Sequence, residues 1–151
     1  MRFKTIKDII DFSRHLHEAL SRQYAELEQL ATSERAQLML DYLNRHERHL
    51  AAALKDYEAG AARGIMDTWL QYSPELDAHP VLERIRDVDI NNVEEVVAAA
   101  LATDEYLREI YQEVAERADL DELREVACSL RQIESNEQYR LARDALRFSD
   151  L

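Results

Sequence analysis

The chain has 151 residues, with only two glycines and two prolines, 33% charged and 46% apolar side chains, and a formal net charge of −12 from 31 acidic and 19 basic residues. A β-sandwich or barrel needs turn formers every ~8–12 residues, which this composition does not supply, whereas its Ala, Leu, Glu and Arg favour helix. The acidic surplus works against nucleic acid or anionic lipid as a partner, and the single cysteine, Cys128, allows no internal disulfide and fits a reducing compartment.

The opening MRFKTIKDII lacks the apolar core of a signal peptide, and no apolar run of about 18 residues occurs anywhere. A soluble cytoplasmic protein of one domain, residues 1–151, is therefore expected. The first helical stripe is Ile6, Ile10, Ser13, His17, Leu20, Tyr24, Leu27 and Ala31, in alternating steps of four and three that fall on one face. Thr5, with Asp8 three residues on, is its expected N-cap. The second helix is expected to start at Thr32 or Ser33, to carry Ala36, Met39, Tyr42, Leu43, His46, His49, Leu50, Ala53 and Tyr57, and to stop near Gly60 or Gly64.

From about 60 to 91 runs a connection that holds both prolines, Pro74 and Pro80, and the only tryptophan, Trp69. Its length predicts short helical turns of its own, around MDTWLQY and PVLERIR. Trp69, Leu70 and Tyr72 are expected to cover a flank or end of the molecule, with a dimer contact as the functional alternative. The third stripe is Val93, Val97, Ala100, Asp104, Leu107, Tyr111, Val114 and Ala118, capped by Asn92 with Glu95. The fourth is Leu123, Ala127, Leu130, Glu134, Glu137, Leu141, Ala145 and Phe148, with Asp119 and Glu122 at its start. Short joins make each pair an antiparallel hairpin, and the long crossover returns the chain so that the second hairpin starts parallel to the first. The expected architecture is an all-α four-helix bundle of two antiparallel hairpins joined by a long crossover.

His17, His46, His49, Asp104, Glu134 and Glu137 occupy seam positions, flanked one turn away by apolar residues or Tyr. Buried imidazoles and carboxylates are costly unless they are paired or bind a metal. His17 precedes Tyr24 by seven residues and Asp104 precedes Tyr111 by seven, an offset of 87 between the hairpins. HERH at 46–49 and ESNE at 134–137 correspond at 88, which one extra residue in the second hairpin's loop would explain. Residues three apart share a helix face, so each pair can converge on one ion. A metal-free network of three imidazoliums and three carboxylates is the competing explanation.

The segments HEALSRQYAELEQLA, RHERHLAAALKDY, AAALATDEYLREIYQEVAERA and LRQIESNEQYRLARDAL resemble the four helices of the ferritin-like superfamily, nearest in pattern to the rubrerythrin type. That type has Glu-x6-Tyr, then Glu-x-x-His, a long crossover, and the same pattern again. Carried over residue by residue, His17 stands in place of a Glu, His46 in place of the second helix's Glu, and His49 keeps the His. In the second half Asp104 replaces a Glu, Glu134 keeps the Glu, and Glu137 replaces the His. Glu134 would then be the one remaining bridging carboxylate. Tyr24 and Tyr111 take the places of tyrosines that hydrogen-bond the site carboxylates. Histidines from one half and carboxylates from the other imply two unlike sites. Glu18 is the alternative helix-one ligand, of the residue type the family uses, yet it shares a strip with Arg14 and Arg22 and seam geometry prefers His17; Glu47 and Glu105 also lie beside proposed ligands.

The resemblance implies bound Fe or Mn, with Zn also compatible, and chemistry on dioxygen or peroxide. A non-catalytic Zn-binding protein and a metal-free structural bundle are the alternatives. No C-x-x-C pair is present, so the rubredoxin module of rubrerythrins is missing, and no fifth helix follows FSDL, so a storage shell is not expected. A homodimer is the expected oligomer. Cys128 is expected to be a packing residue, and His15 and His79 fall off the stripes.

Overall fold

The structure is a computed structural model that describes residues 4–149, with side chains to residue 148. The first three residues of MRFKTIKDII and the last two of FSDL lie outside the described residues. Six helices follow in order: α1 (Ile6–Leu30), α2 (Glu34–Gly60), α3 (Arg63–Met66), α4 (His79–Asp87), α5 (Val93–Arg117) and α6 (Asp121–Ser149). The fold is all-helical and bundle-like. Helices α1 and α2 pack along their length, as do α5 and α6, and the two hairpins meet chiefly where α2 lies on α6 and α5.

The helix starts follow from their capping residues. Thr5 accepts from the Asp8 amide at 3.2 Å while the Asp8 carboxylate accepts from the Thr5 amide at 2.9 Å, a reciprocal box that opens α1. Ser33, rather than Thr32, caps α2 through the Ala36 amide at 3.3 Å. Asn92 caps α5 through the Glu95 amide at 3.2 Å, but the Glu95 carboxylate takes the Asp89 amide at 3.4 Å, so only half of the expected box forms. Helix α6 begins at Asp121, two residues beyond the expected cap at Asp119. Helix α2 does stop at Gly60, with Ala61 extended behind it. No described glycine has a positive φ, so the stop comes from glycine's poor helix propensity and not from a left-handed cap.

In the crossover the second expected turn is α4, which has Pro80 in its first turn and buries Val81 and Ile85 against α5. The first expected turn is displaced. Helix α3 precedes it, and Thr68–Leu70 runs extended against the start of α1, with the Leu70 amide on the Lys4 carbonyl at 2.8 Å and the Ile6 amide on the Thr68 carbonyl at 3.3 Å. Alternation along this extended piece turns Leu70 inward and leaves Trp69 62% exposed, so Leu70 and not Trp69 covers the bundle. Tyr72 donates to Glu113 at 2.6 Å and lies under the Arg117 guanidinium, 4.1 Å from its ring centre.

The hairpins start and turn in the same register. Helices α1 and α5 begin at Ile6 and Val93 and end at Leu30 and Arg117, and α2 and α6 begin at Glu34 and Asp121, all 87 residues apart. The second loop therefore contains no extra residue, and a single offset of 87 relates the two halves from the start of each hairpin through its turn. Each interhelical turn is three residues long, so the register cannot slip between them.

Candidate metal centre

The core is lined by Leu, Ile, Val, Ala and Met, with Tyr24 and Tyr111 at its heart. Three of the buried polar side chains are satisfied apart from the rest: Ser13 donates to the Ile9 carbonyl at 3.2 Å and Thr103 to the Ala99 carbonyl at 3.1 Å within their own helices, and Ser21 donates across to Asn44 Oδ1 on α2. The others are His17, His46, Glu47, Asp104, Glu134 and Glu137, in two ion-paired triplets centred on His17 and His46 that meet where Glu47 approaches His46 and Asp104.

Each long helix contributes: α1 and α5 turn one polar residue inward, His17 and Asp104, and α2 and α6 two each, His46 with Glu47 and Glu134 with Glu137. His17 on α1 bonds through Nδ1 to Glu47 Oε2 on α2 and through Nε2 to Glu134 Oε1 on α6, at 2.8 Å for the latter. His46 on α2 bonds through Nε2 to Asp104 Oδ2 on α5 at 3.1 Å, and its Nδ1 stands 3.8 Å from Glu137 Oε2 on α6. Donor atoms of His46, Glu47 and Asp104 all lie within 4.8 Å of one another. Donors held at roughly 2.1 Å from one ion stand roughly 3–4 Å apart, so a small side-chain adjustment suffices to close this trio on a cation.

The remaining lone pairs support such a cation. Glu47 Oε1, Asp104 Oδ1 and Glu134 Oε2 are buried and have no hydrogen-bond partner. A buried carboxylate oxygen without a donor is unfavourable. With His17 as an imidazolium and His46 neutral, Glu47, Asp104 and Glu134 leave two uncompensated negative charges in the interior. One divalent ion cancels them.

Protons are the other way to cancel them. Burial by itself would lower the His17 pKa, but the Glu134 and Glu47 carboxylates outweigh it and hold the imidazole well above its ordinary 6.5. Burial likewise works against His46, and the bond to Asp104, followed by the Glu47 charge, raises it above 6.5. Burial raises the Asp104 carboxyl, helped by Glu134 and opposed by the two imidazoles. Without a cation the cluster thus takes up protons. Tyr24 and Tyr111 are fully buried, and neither hydroxyl finds a hydrogen-bond partner. Burial, then Glu47 and Asp104, pushes the Tyr24 phenol well up, and burial, then Glu134, does so for Tyr111.

Of the six residues expected from the sequence, five join this group. His49 stands apart, with its side chain 57% exposed and its Nε2 on Glu137 Oε1 at 3.2 Å. Glu137, 9% exposed, also receives Arg140 at 3.2 Å and so forms the outer edge of the cluster. The types interleave, each imidazole lying between carboxylates, and are not segregated into a histidine half and a carboxylate half. His17 is fully buried and Glu18 half-buried, so α1 turns His17 inward. Glu105 is half-buried beside Arg108 at 2.6 Å.

Glu47, which the sequence placed beside a proposed ligand and not among the ligands, is the residue that joins the group where His49 was expected. It is fully buried at the centre of the group, and the signal for it was the offset of 87, which pairs Glu47 with Glu134 as it pairs His17 with Asp104 and Tyr24 with Tyr111. An all-helical protein with a buried histidine and carboxylate cluster spanning its four long helices is the class these features define. Comparison with family profiles, with curated proteins and with solved structures returns no match.

Proposed function

We propose that the protein binds a divalent transition-metal ion inside a ferritin-like four-helix bundle, with His46, Glu47 and Asp104 as ligands and Glu134 and His17 completing the centre. The observation that carries this reading is the set of three buried carboxylate oxygens without donors beside a trio of donor atoms within 4.8 Å of one another. A donor set of one imidazole and carboxylates suits Mn or Fe, with Zn compatible. Bound there, such an ion would supply Lewis-acid or redox chemistry toward dioxygen or peroxide.

The chain's own residues would set the conditions. Glu134 lies 87 residues from Glu47, so the two carboxylates occupy matching positions on α6 and α2. His17 links both of them and orients them. Tyr24 and Tyr111 are buried in the same core but their hydroxyls make no hydrogen bond to the carboxylates, so the donor role that the resemblance gave them is not part of this reading. The test is elemental and optical analysis of protein produced in media enriched in iron, manganese or zinc. Stoichiometric metal that is lost on His46→Leu substitution is expected; protein that stays metal-free in every medium and on reconstitution would sink the reading.

One observation favours a second reading. Both ring nitrogens of His17 already face carboxylates, so its imidazolium itself stands where a cation would between Glu47 and Glu134. A metal-free bundle held by that ion pair is the alternative, and the same metal analysis separates the two.

A further inference from the structure

The buried group reaches the surface at one place only among the residues that compose it. Asp104, His46, Glu137 and His49 form a file that runs outward between α2 and α6, with steps of 3.1, 3.8 and 3.2 Å. Exposure rises along it, from side chains of Asp104 at 0% and His46 at 2%, through Glu137 at 9%, to His49 at 57%. Each member is a metal-ligating side chain. The Tyr42 ring stacks beside His46, with centroids 6.4 Å apart, and is itself held by its hydroxyl on Asp144 at 2.7 Å, so it forms a fixed wall along the file.

The internal repeat shows that this file is one-sided. The positions 87 residues from His46, His49, Glu137 and Arg140 are Ile133, Asn136, Leu50 and Ala53. Leu50 is fully buried where its counterpart Glu137 borders solvent. One flank of the α2–α6 seam therefore carries ligand-type side chains from surface to centre, whereas on the matching flank buried Leu50 and half-buried Ile133 and Ala53 lie between the centre and exposed Asn136. A structural ion pair at the centre needs no such asymmetry. A cation that must cross the wall of the bundle does.

Resting on the metal-binding reading above, we infer that His49 and Glu137 form an outer docking site for the incoming divalent cation, which Glu137 hands inward to His46 and Asp104. Arg140, on Glu137 Oε1 at 3.2 Å, occupies this site when no metal is there and must move aside for it. Its guanidinium keeps the buried carboxylate paired, and it repels a second cation from the doorway. The handover breaks no covalent bond: the ion exchanges water and the Glu137 oxygen for the inner carboxylates, and the protons held there leave to solvent.

The experiment uses apo-protein mixed rapidly with Co(II), followed by the visible absorbance of the bound ion, with occupancy after desalting measured by elemental analysis. Wild-type protein is expected to load to a fixed occupancy. His49→Ala and Glu137→Gln are expected to reach that same occupancy about tenfold more slowly, as loss of local electrostatic focusing slows an encounter. Arg140→Gln is expected to load faster. His49 and Arg140 are exposed enough for their variants to fold, so the kinetics remain readable if Glu137→Gln proves unstable. Wild-type loading with unchanged rates in His49→Ala and Arg140→Gln would overturn the docking site alone. Loss of occupancy in Glu137→Gln, in protein that is folded, would make Glu137 a ligand of the centre and also overturn it. Absence of bound cobalt in the wild type would overturn the metal-binding reading itself, and the docking site with it.

Discussion

Three groups at the centre respond to pH with the same sign. His17 and His46 are held above their ordinary 6.5 and Asp104 above its ordinary 3.8. Each binds its proton more tightly in the folded chain than in the unfolded one. The stability each contributes is full below the unfolded value and is lost as pH rises through the folded value. For the imidazoles that window opens at 6.5 and extends upward. The apo-protein's melting temperature is therefore expected to fall as pH is raised from about 6.5 to 9. Metal-loaded protein is expected to show the reverse trend in its advantage over apo, because the ion replaces those protons and binds more tightly as they become easier to remove. Paired thermal melts across this range check both, and an apo melting temperature that is flat or rises would mean that the imidazoles are not held charged. At this scale the sequence was legible for His17, His46, Asp104, Glu134 and Glu137, because a charged residue in an apolar stripe is conspicuous. Glu47 was masked by its two histidine neighbours in HERH. Over 27 residues the inward face of α2 drifts through Leu40, Leu43, Glu47, Leu50 and Leu54, so a stripe drawn through His46 and His49 leaves the core at His49.

Helix ends show what patterning can and cannot predict. The caps Thr5, Ser33 and Asn92 were readable because a short polar side chain three residues before a free amide is a local signal. Asn91 was not, since its work is long-range. Its Oδ1 accepts from the Thr32 and Ser33 amides at 3.0 and 3.1 Å and from the Thr32 hydroxyl at 3.3 Å, which ties the turn between α1 and α2 to the segment entering α5. Both amides precede α2 and have no helical partner, so Asn91 supplies what the turn lacks. Asn91→Ala is expected to destabilise the fold by about 1 kcal/mol, since these bonds are solvent-accessible and their net worth is modest. That corresponds to a melting temperature lower by about 2–4 °C for a chain of this size. Asn91→Asp keeps the acceptor and should stay near wild type, and a scan that ranks the two variants equally would show that the clasp contributes nothing. The extended Thr68–Leu70 segment was hidden for the same reason as Asn91. Its partner is the backbone of Lys4–Ile6, and backbone pairing across more than 60 residues leaves no mark on side-chain periodicity.

Across the whole molecule, the centre is the buried place where the two hairpins are bound by charge as well as by packing, while Arg35 and Glu94 pair across them at the surface. His17, His46 and Glu47 come from the first hairpin, and Asp104 and Glu134 from the second. An ion held by His46, Glu47 and Asp104 bridges the hairpins and has no preformed site in the unfolded chain, so its binding free energy adds to folding. At free metal about 100 times the dissociation constant the gain is about 2.7 kcal/mol, a rise of about 5–11 °C in melting temperature. Replacing the polar centre removes that gain while relieving the desolvation of buried charge. His46→Leu combined with Glu134→Met is expected to leave the apo fold as stable as before or more so, by up to about 4 kcal/mol, because well-packed apolar side chains often outperform a buried ionic group. The variant should then melt at one temperature with or without added Fe(II), Mn(II) or Zn(II), whereas the wild type should rise with at least one of them. The comparison is internal to each protein, so it does not depend on how the substitutions alter stability. A wild type indifferent to all three ions would leave the cluster as a pairing device between hairpins, and a double variant that still responds would place the ion elsewhere in the chain.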